Sequence, residues 1–386
     1  MTPSLKRTRT TWMTYGLLAL YGYFLNILGP ITPYLHDEFQ LSYTVSSLHF
    51  SAFAVGILLV GLGGHLVIHR IGRWLSLAVG AMGLGAGALL LVLGRHPVLT
   101  VGGTFLMGCV GSLILAVVPA ALSEEHGELR AVAISEANVL ASLASATAPL
   151  LVGWLAGLVI GWRLALILAA AFALLLGFLL LQPGRVERGD PSARQASHRL
   201  PLRFWFHWFT LVLAVAVEFC MVFWCADFLE TELHLPRAGA AQAVSLFLAG
   251  MIVGRLAGSR VLHALPPRRV VLLSNLLAIG GFLLFWTAQR PAAGLIGLTL
   301  TGLGVASLYP MILATAIGAA RVDESRAGAR TTLASGTAIL LLPLVLGRFA
   351  DTAGLRAAYG VVAALLLLLL GLVLLSGRFS KTGTSS

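Results

Sequence analysis

One carboxylic acid interrupts a long apolar run: Glu218 stands between Val215-Ala216-Val217 and Phe219-Cys220. An acid at the middle of a hydrocarbon-length stretch costs about 2.5 to 3.5 kcal/mol on insertion scales, so one retained there points to work. The work open to a carboxyl in apolar surroundings is taking up and releasing a proton; a hydrogen-bonded packing acid is the alternative. Asn26 precedes it by 192 residues (26 to 218), and Tyr23 and Trp224 lie close by in the same two segments, as candidates to line one polar site. Asn138, Ser142 and Tyr309 complete the set expected to touch a substrate, although aromatic side chains in such segments serve packing or interfacial anchoring as readily. Asp227, nine residues past Glu218, reads equally as a solvated helix cap with Glu230 and Glu232.

A second group of charges sits at segment ends. Glu136 and Arg330 carry opposite charges 194 residues apart (136 to 330), at equivalent places of a repeated sequence. Two readings are open: a bridge that closes an inner gate, or local pairing of Glu136 with Arg130 and of Arg330 with Asp323 or Glu324. Reactions on bonds find no support. The chain has no Gly-x-x-x-x-Gly-Lys-Ser/Thr loop, no paired metal-ligand spacing and no Gly-x-Ser-x-Gly elbow, so neither an enzyme nor a nucleotide-driven pump is expected, and no cofactor. A solute moved by this chain would draw its energy from a gradient. A single buried acid favours protons over sodium, which needs several converging oxygens.

The segments that position these residues are membrane helices. Apolar residues make up 58% of the 386 and charged ones only 11%, and the mean hydropathy is +0.92. Twelve stretches, from 12–35 to 355–376, reach the roughly 20 residues needed to cross about 30 Å of hydrocarbon. Helix is the state that satisfies every backbone group there without a partner strand. With the N-terminus inside, 20 of the 26 Lys and Arg residues fall in inside loops, which orients both termini to the cytoplasm and accounts for the net charge of +11 without nucleic acid. The three cysteines fall inside expected helices and suggest neither disulfides nor zinc.

The first half returns in the second. Gly64-His65-Leu66-Val67-Ile68-His69-Arg70 reappears as Gly254-Arg255-Leu256-Ala257-Gly258-Ser259-Arg260, 190 residues on (64 to 254). Gly111 and Pro119 return as Gly302 and Pro310, Pro149 and Gly153 as Pro343 and Gly347, and Gly161 and Arg163 as Gly354 and Arg356. Matches in one order imply two structurally similar halves. The expected organisation is a six-helix bundle over 1–182, a cytoplasmic linker over 183–204 rich in Pro and Arg, and a second six-helix bundle over 205–386. Glycines inside the helices let neighbours approach closely, and Pro30, Pro33, Pro119, Pro149, Pro310 and Pro343 are each expected to kink a helix; at Pro310 the readings are packing or an unwound turn that offers backbone groups to a ligand.

Twelve helices in two halves, a Gly-x-Leu-x-x-x-Arg element after the second helix of each, and a basic central loop resemble the major facilitator superfamily, loosely its branch of fucose/proton symporter-like permeases. The resemblance implies an all-α membrane protein of two pseudo-symmetric six-helix bundles. In that family an acid and arginines of the loop after the second helix staple neighbouring helices; here Arg70 and Arg73 match, and His69 stands where the acid belongs. His69, Arg70 and Arg73 are therefore gating candidates with Glu136 and Arg330. The expected function is proton-coupled transport of a small organic solute across the cytoplasmic membrane by alternating access. The shortage of hydrogen-bonding groups tilts it toward export of a lipophilic or amphipathic compound. Import of a sugar or small metabolite is the alternative, and a non-transporting sensor or scaffold is the alternative of another class. The partners expected are a small-molecule substrate, protons and the lipid bilayer, with the chain acting as a monomer.

Overall fold

The computed structural model describes residues 5–158, 161–181, 200–261, 265–319 and 324–381. The expected linker lies, as far as residue 199, outside the described residues, as does Asp323. Twelve described segments are long and apolar enough to cross a membrane. Helices α1 (Arg9–Phe39), α2 (Tyr43–Ile71), α3 (Arg73–Leu93), α4 (Pro97–His126), α5 (Arg130–Leu155) and α6 (Arg163–Leu180) supply six of them. Helices α7 (Leu202–Thr231), α8 (Arg237–Val261) and α9 (Pro267–Trp286) follow, then α10 (Pro291–Val305) with α11 (Leu308–Ala319), α12 (Glu324–Ala353), and α13 (Leu355–Ala358) with α14 (Gly360–Lys381). Large apolar side chains face outward, as Leu66, Trp154 and Phe178 do, which suits a solvent of acyl chains.

The contacts divide into two compact units. One comprises Met1–Gln40 and Leu48–Gln195, the other Leu41–Ser47 and Ala196–Ser386. In the first, α1 packs on α5 and α3 on α4; in the second, α7 packs on α12 and α9 on α10. Helices in lipid gain from close backbone approach rather than from expelling water, so glycine marks these seams. A methyl group on Gly103 would come within 2.6 Å of the Gly87 carbonyl oxygen, and one on Gly297 within 2.8 Å of the Gly281 carbonyl oxygen, 194 positions later (103 to 297). Gly108 presses on the carbonyl oxygen of Phe53, and Gly302 on that of Phe247, at the same spacing (108 to 302). By contact, then, the counterpart of Gly302 is Gly108 and not Gly111.

The three residues lost between that seam and Pro310 coincide with a break. Helix α10 ends at Val305 and α11 begins at Leu308. Pro310 has no N–H for the Ala306 carbonyl and its ring crowds that group, which is why the helix opens one turn before it.

Each unit also carries one arginine clasp. Arg163, at the start of α6, donates to Glu38 at the end of α1 (2.6 and 2.7 Å) and to the Val92 carbonyl at the end of α3 (3.2 Å). Arg356, in α13, donates to Glu232 just past α7 (2.8 Å) and to the carbonyls of Trp286, the last residue of α9, and of Ala288 beyond it (2.9 and 3.2 Å). The guanidinium's forked donors tie two neighbouring helix ends at once, satisfying carbonyls that have no partner further along the helix.

Candidate functional site

Helix α7 is buried along most of its length, and Glu218 lies half-buried near its middle. Arg255 of α8 acts electrostatically on Glu218. Both act on Tyr309, whose hydroxyl shares a hydrogen bond with Ser335 of α12. Four elements thus place one acid, one base and two hydroxyls within electrostatic reach of one another, all within the second unit. The break before Pro310 sets Tyr309 on the first turn of α11, where its direction is freed from the line of α10. Chemically, the set can hold a carboxylate against a guanidinium or, with the carboxyl protonated, release the guanidinium to another anion or dipole.

Sequence reasoning singled out Glu218 and Tyr309 but passed over Arg255 and Ser335. Arg255 sits inside the repeated Gly-x-Leu element, a setting that reads as one more cytoplasmic charge, yet α8 runs on to Val261. A charge six residues before the end of an apolar helix was the signal available.

The other candidates lie elsewhere. Asn26 donates from Nδ2 to the Gly22 carbonyl (2.9 Å) and to Ser145 Oγ on α5 (3.1 Å), at a seam where a methyl group on Gly22 would lie 2.9 Å from the same Ser145 oxygen. Tyr23 is buried and donates its hydroxyl to the Ala165 carbonyl (3.1 Å). Trp224 is wholly enclosed, its Nε1 donating to the Pro343 carbonyl (3.2 Å) and its ring set edge-on to Tyr43. These two aromatic side chains are engaged in packing here. Asn138 and Ser142 lie on the accessible side of α5, donating to the carbonyls of Ile134 (2.8 Å) and Asn138 (2.9 Å). Asp227 is not a solvated cap, because only 4% of it is exposed.

The gating candidates of the first unit are held by separate partners rather than by one another. Glu136 accepts from Arg7 at both oxygens (2.6 and 2.9 Å) and from the Tyr15 hydroxyl (3.1 Å). The residue that holds it is therefore not Arg130, the local partner expected, but an arginine just ahead of α1. The Glu136 hydrogen bonds hold the Arg7 guanidinium above its ordinary range. Next to it Thr8 caps α1, and Thr8 and Thr11 both donate to Glu125 at the end of α4, with Thr11 also bonded to His126 (3.0 Å). Arg73 pairs with Glu124 beside a cavity of about 270 Å³ that Trp74 and Thr10 also line, so α4 supplies the acid that the loop after α2 lacks. His69 and Arg70 are exposed on the last turn of α2. Gly72, which follows them, has a φ of 83°, a conformation open to glycine and strained for any side chain. In the second unit the Arg330 carbonyl accepts from Trp208 Nε1 (2.8 Å).

Because Arg7 is the clamp, Glu136→Gln speeds tryptic cleavage among Lys6, Arg7 and Arg9 several-fold in limited proteolysis of the full chain. Arg130→Gln, altering an exposed residue of the same helix, leaves the rate unchanged.

The comparisons with known proteins agree with this architecture. A stretch of 150 residues is 29% identical to an uncharacterized MFS-type transporter of Yersinia pestis and covers 39% of each chain, so the match spans about two fifths of that protein. A bacterial homologue of the human lysosomal transporter Spinster, in an inward-facing and occupied conformation, superposes with a TM-score of 0.80 at 14% identity, over 97% of this chain and 98% of that one. The fucose:proton symporter FucP of E. coli superposes with a TM-score of 0.60 at 16% identity, over 95% and 98%. At such identities the two superpositions speak for the fold alone. The model of the Major Facilitator Superfamily matches residues 14–229 and again 208–385, the two repeats in turn. With twelve apolar helices, a doubled set of glycine seams and that match over nearly the whole length, the chain is a multi-pass membrane protein that belongs to the Major Facilitator Superfamily.

Proposed function

We propose that this chain is a proton-coupled secondary transporter of the cytoplasmic membrane, both termini inside, that moves a small organic solute by alternating access, with Glu218 carrying the proton. The observation that carries the reading is the electrostatic influence of Arg255 on Glu218 inside membrane helices. A proton on Glu218 cancels the attraction to Arg255, so protonation and solute binding compete for, or cooperate through, the same guanidinium. Tyr309 and Ser335 extend that site. Glu136 and Arg73 act at the cytoplasmic end. The shortage of hydrogen-bonding side chains favours an amphipathic solute, moved outward, over a sugar. The sugar/proton symporter sharing the fold keeps import as the second reading.

The test uses the full chain in lipid vesicles loaded with a pH indicator and challenged with sugars, organic acids and amphipathic drugs. Coupled transport appears as a solute that changes lumenal pH only when the protein is present. Solute entry with no pH change sinks the coupling.

A further inference from the structure

Helix α2 is divided: residues 41–47, with its first turn, group with the second unit, and from Leu48 on it groups with the first. What the second unit holds there is a helix N-terminus, and each backbone N–H of that turn can be accounted for. Ser46 N–H reaches back to the Ser42 carbonyl (2.9 Å), and Val45 N–H to Ser42 Oγ (3.2 Å). The N–H groups of Tyr43 and Thr44 donate instead to Asp351 of α12 (2.7 and 2.9 Å), and so does the Thr44 hydroxyl. A helix usually finds such an acceptor in the residue just before it. Here it is a carboxylate 307 positions from Thr44, set at the positive end of the helix dipole.

Asp351 ends a row of residues that seats this turn. Pro343, Gly347 and Asp351 are spaced four apart in α12 and share one face of it. The Pro343 carbonyl lies 3.2 Å from Ser47 Oγ and accepts from Trp224 Nε1 of α7 at the same distance. A methyl group on Gly347 would press on Ser47 Oγ and lie 2.8 Å from the Tyr43 carbonyl oxygen and 3.2 Å from the Trp224 ring, which is itself edge-on to Tyr43. The first turns of α2 thus rest on the backbone of α12 with the indole as a wall. Ser46 and Ser47 are buried in the seat, whereas Asp351 is exposed at its rim. At the rim water can take over each bond of the carboxylate and of the N–H groups it caps, so the turn can leave without stranding a buried polar group.

We propose that residues 41–47 form a detachable strap, fastened to α12 by Asp351, and that the strap leaves its seat in the course of transport. The second half of this rests on the alternating-access reading: a helix divided between two units that move against one another must bend or give up one of its seats. Asp351 is then a positioning residue, setting how firmly the strap is held without touching solute.

The test is the reactivity of Ser47→Cys, in the full chain in lipid, toward a charged water-soluble thiol reagent, the modified position being identified by mass spectrometry. Position 47 is wholly buried while the strap is seated. Asp351→Asn keeps the shape and removes the charge, and labelling at position 47 is expected to quicken roughly tenfold, the scale of one lost charge-assisted hydrogen bond. Native Cys220, wholly buried on α7, is expected to stay unlabelled, which separates release of the strap from unfolding. Adding Ser42→Asp to Asp351→Asn gives α2 an acid cap of its own but no tie to α12, so the rate stays fast. A rate unchanged by Asp351→Asn overturns the proposal, and so does labelling of Cys220 in step with position 47. Return of the slow rate with Ser42→Asp also overturns it, since Asp351 would then be a cap and nothing more. Should Asp351→Asn fail to fold, Thr44→Val is expected to quicken labelling about threefold, and no change refutes the strap by itself. These rates are read with no solute and no gradient, so the strap can fail while coupling by Glu218 holds, and the reverse. Joining Thr44→Cys to Asp351→Cys with a short bifunctional thiol reagent is expected to stop transport, and transport undiminished by the tether refutes release in the cycle.

Discussion

Vesicles carrying Glu218→Gln equilibrate their solute across the membrane but no longer concentrate it. A gradient of one pH unit is worth about 1.4 kcal/mol per proton, so a one-to-one coupled carrier sustains about a tenfold solute ratio, and the variant brings that ratio to unity. Glutamine copies the shape and hydrogen bonding of the protonated acid while removing the exchangeable proton, so exchange of solute for solute continues and its pH dependence flattens. Arg255→Gln behaves differently. It leaves Glu218 among Val217, Phe219 and the rest of a buried helix without the guanidinium, and the loss shows first as reduced folded yield. The double variant recovers yield relative to Arg255→Gln alone, because removing both partners of a charge pair leaves nothing uncompensated. Gradient-driven accumulation by Glu218→Gln equal to wild type would remove this acid from the mechanism.

What could be read from the amino-acid order follows from which constraints are local. A helix that must satisfy its own backbone in hydrocarbon declares itself by length and apolarity, so the twelve spans are legible; the break before Pro310 is not, since Pro30, Pro33, Pro119, Pro149 and Pro343 carry the same signal and lie inside continuous helices. The duplication is legible too, because the Gly-x-Leu-x-x-x-Arg element and the Pro-x-x-x-Gly and Gly-x-Arg pairs return in the same order. The order of the matches nevertheless pairs Gly302 with Gly111, whereas the backbone contacts to Phe247 and Phe53 pair it with Gly108.

Partners distant in sequence were not legible. Arg163 and Arg356 stood out as a repeated pair, but that each would seize an acid, Glu38 and Glu232, depends on which helix ends become neighbours. Glu136 offers its carboxylate to whichever base the fold brings near, and that is Arg7, 129 positions away and ahead of the first helix. Arg255 was hidden by its setting in a loop-like motif, and Asp227 by its nearness to a helix end that other elements cover. Tyr23 and Trp224 show the reverse: an aromatic residue near a polar one reads as a binding surface, but each spends its single donor on a backbone carbonyl in the packing.

The glycine seams carry the largest structural effect. Gly108→Ala and Gly302→Ala each set a methyl group inside the contact distance of a backbone carbonyl, that of Phe53 in the first unit and of Phe247 in the second. Backbone is the one neighbour that cannot rotate away, so α2 must part from α4, or α8 from α10, along the whole seam. Each substitution is expected to cost about 3 kcal/mol, at the upper end for over-packed sites, and leucine in place of alanine to prevent folding altogether. Gly102→Ala and Gly280→Ala serve as controls, since a methyl group at either meets nothing within 4 Å. Thermal melts in detergent read the difference: the seam variants melt well below wild type and the controls melt with it or slightly above, because alanine favours helix. Equal melting of seam and control variants would mean that the backbones do not approach as closely as the pairing of Gly108 with Phe53 and of Gly302 with Phe247 requires, and the doubled architecture would lose its strongest physical support.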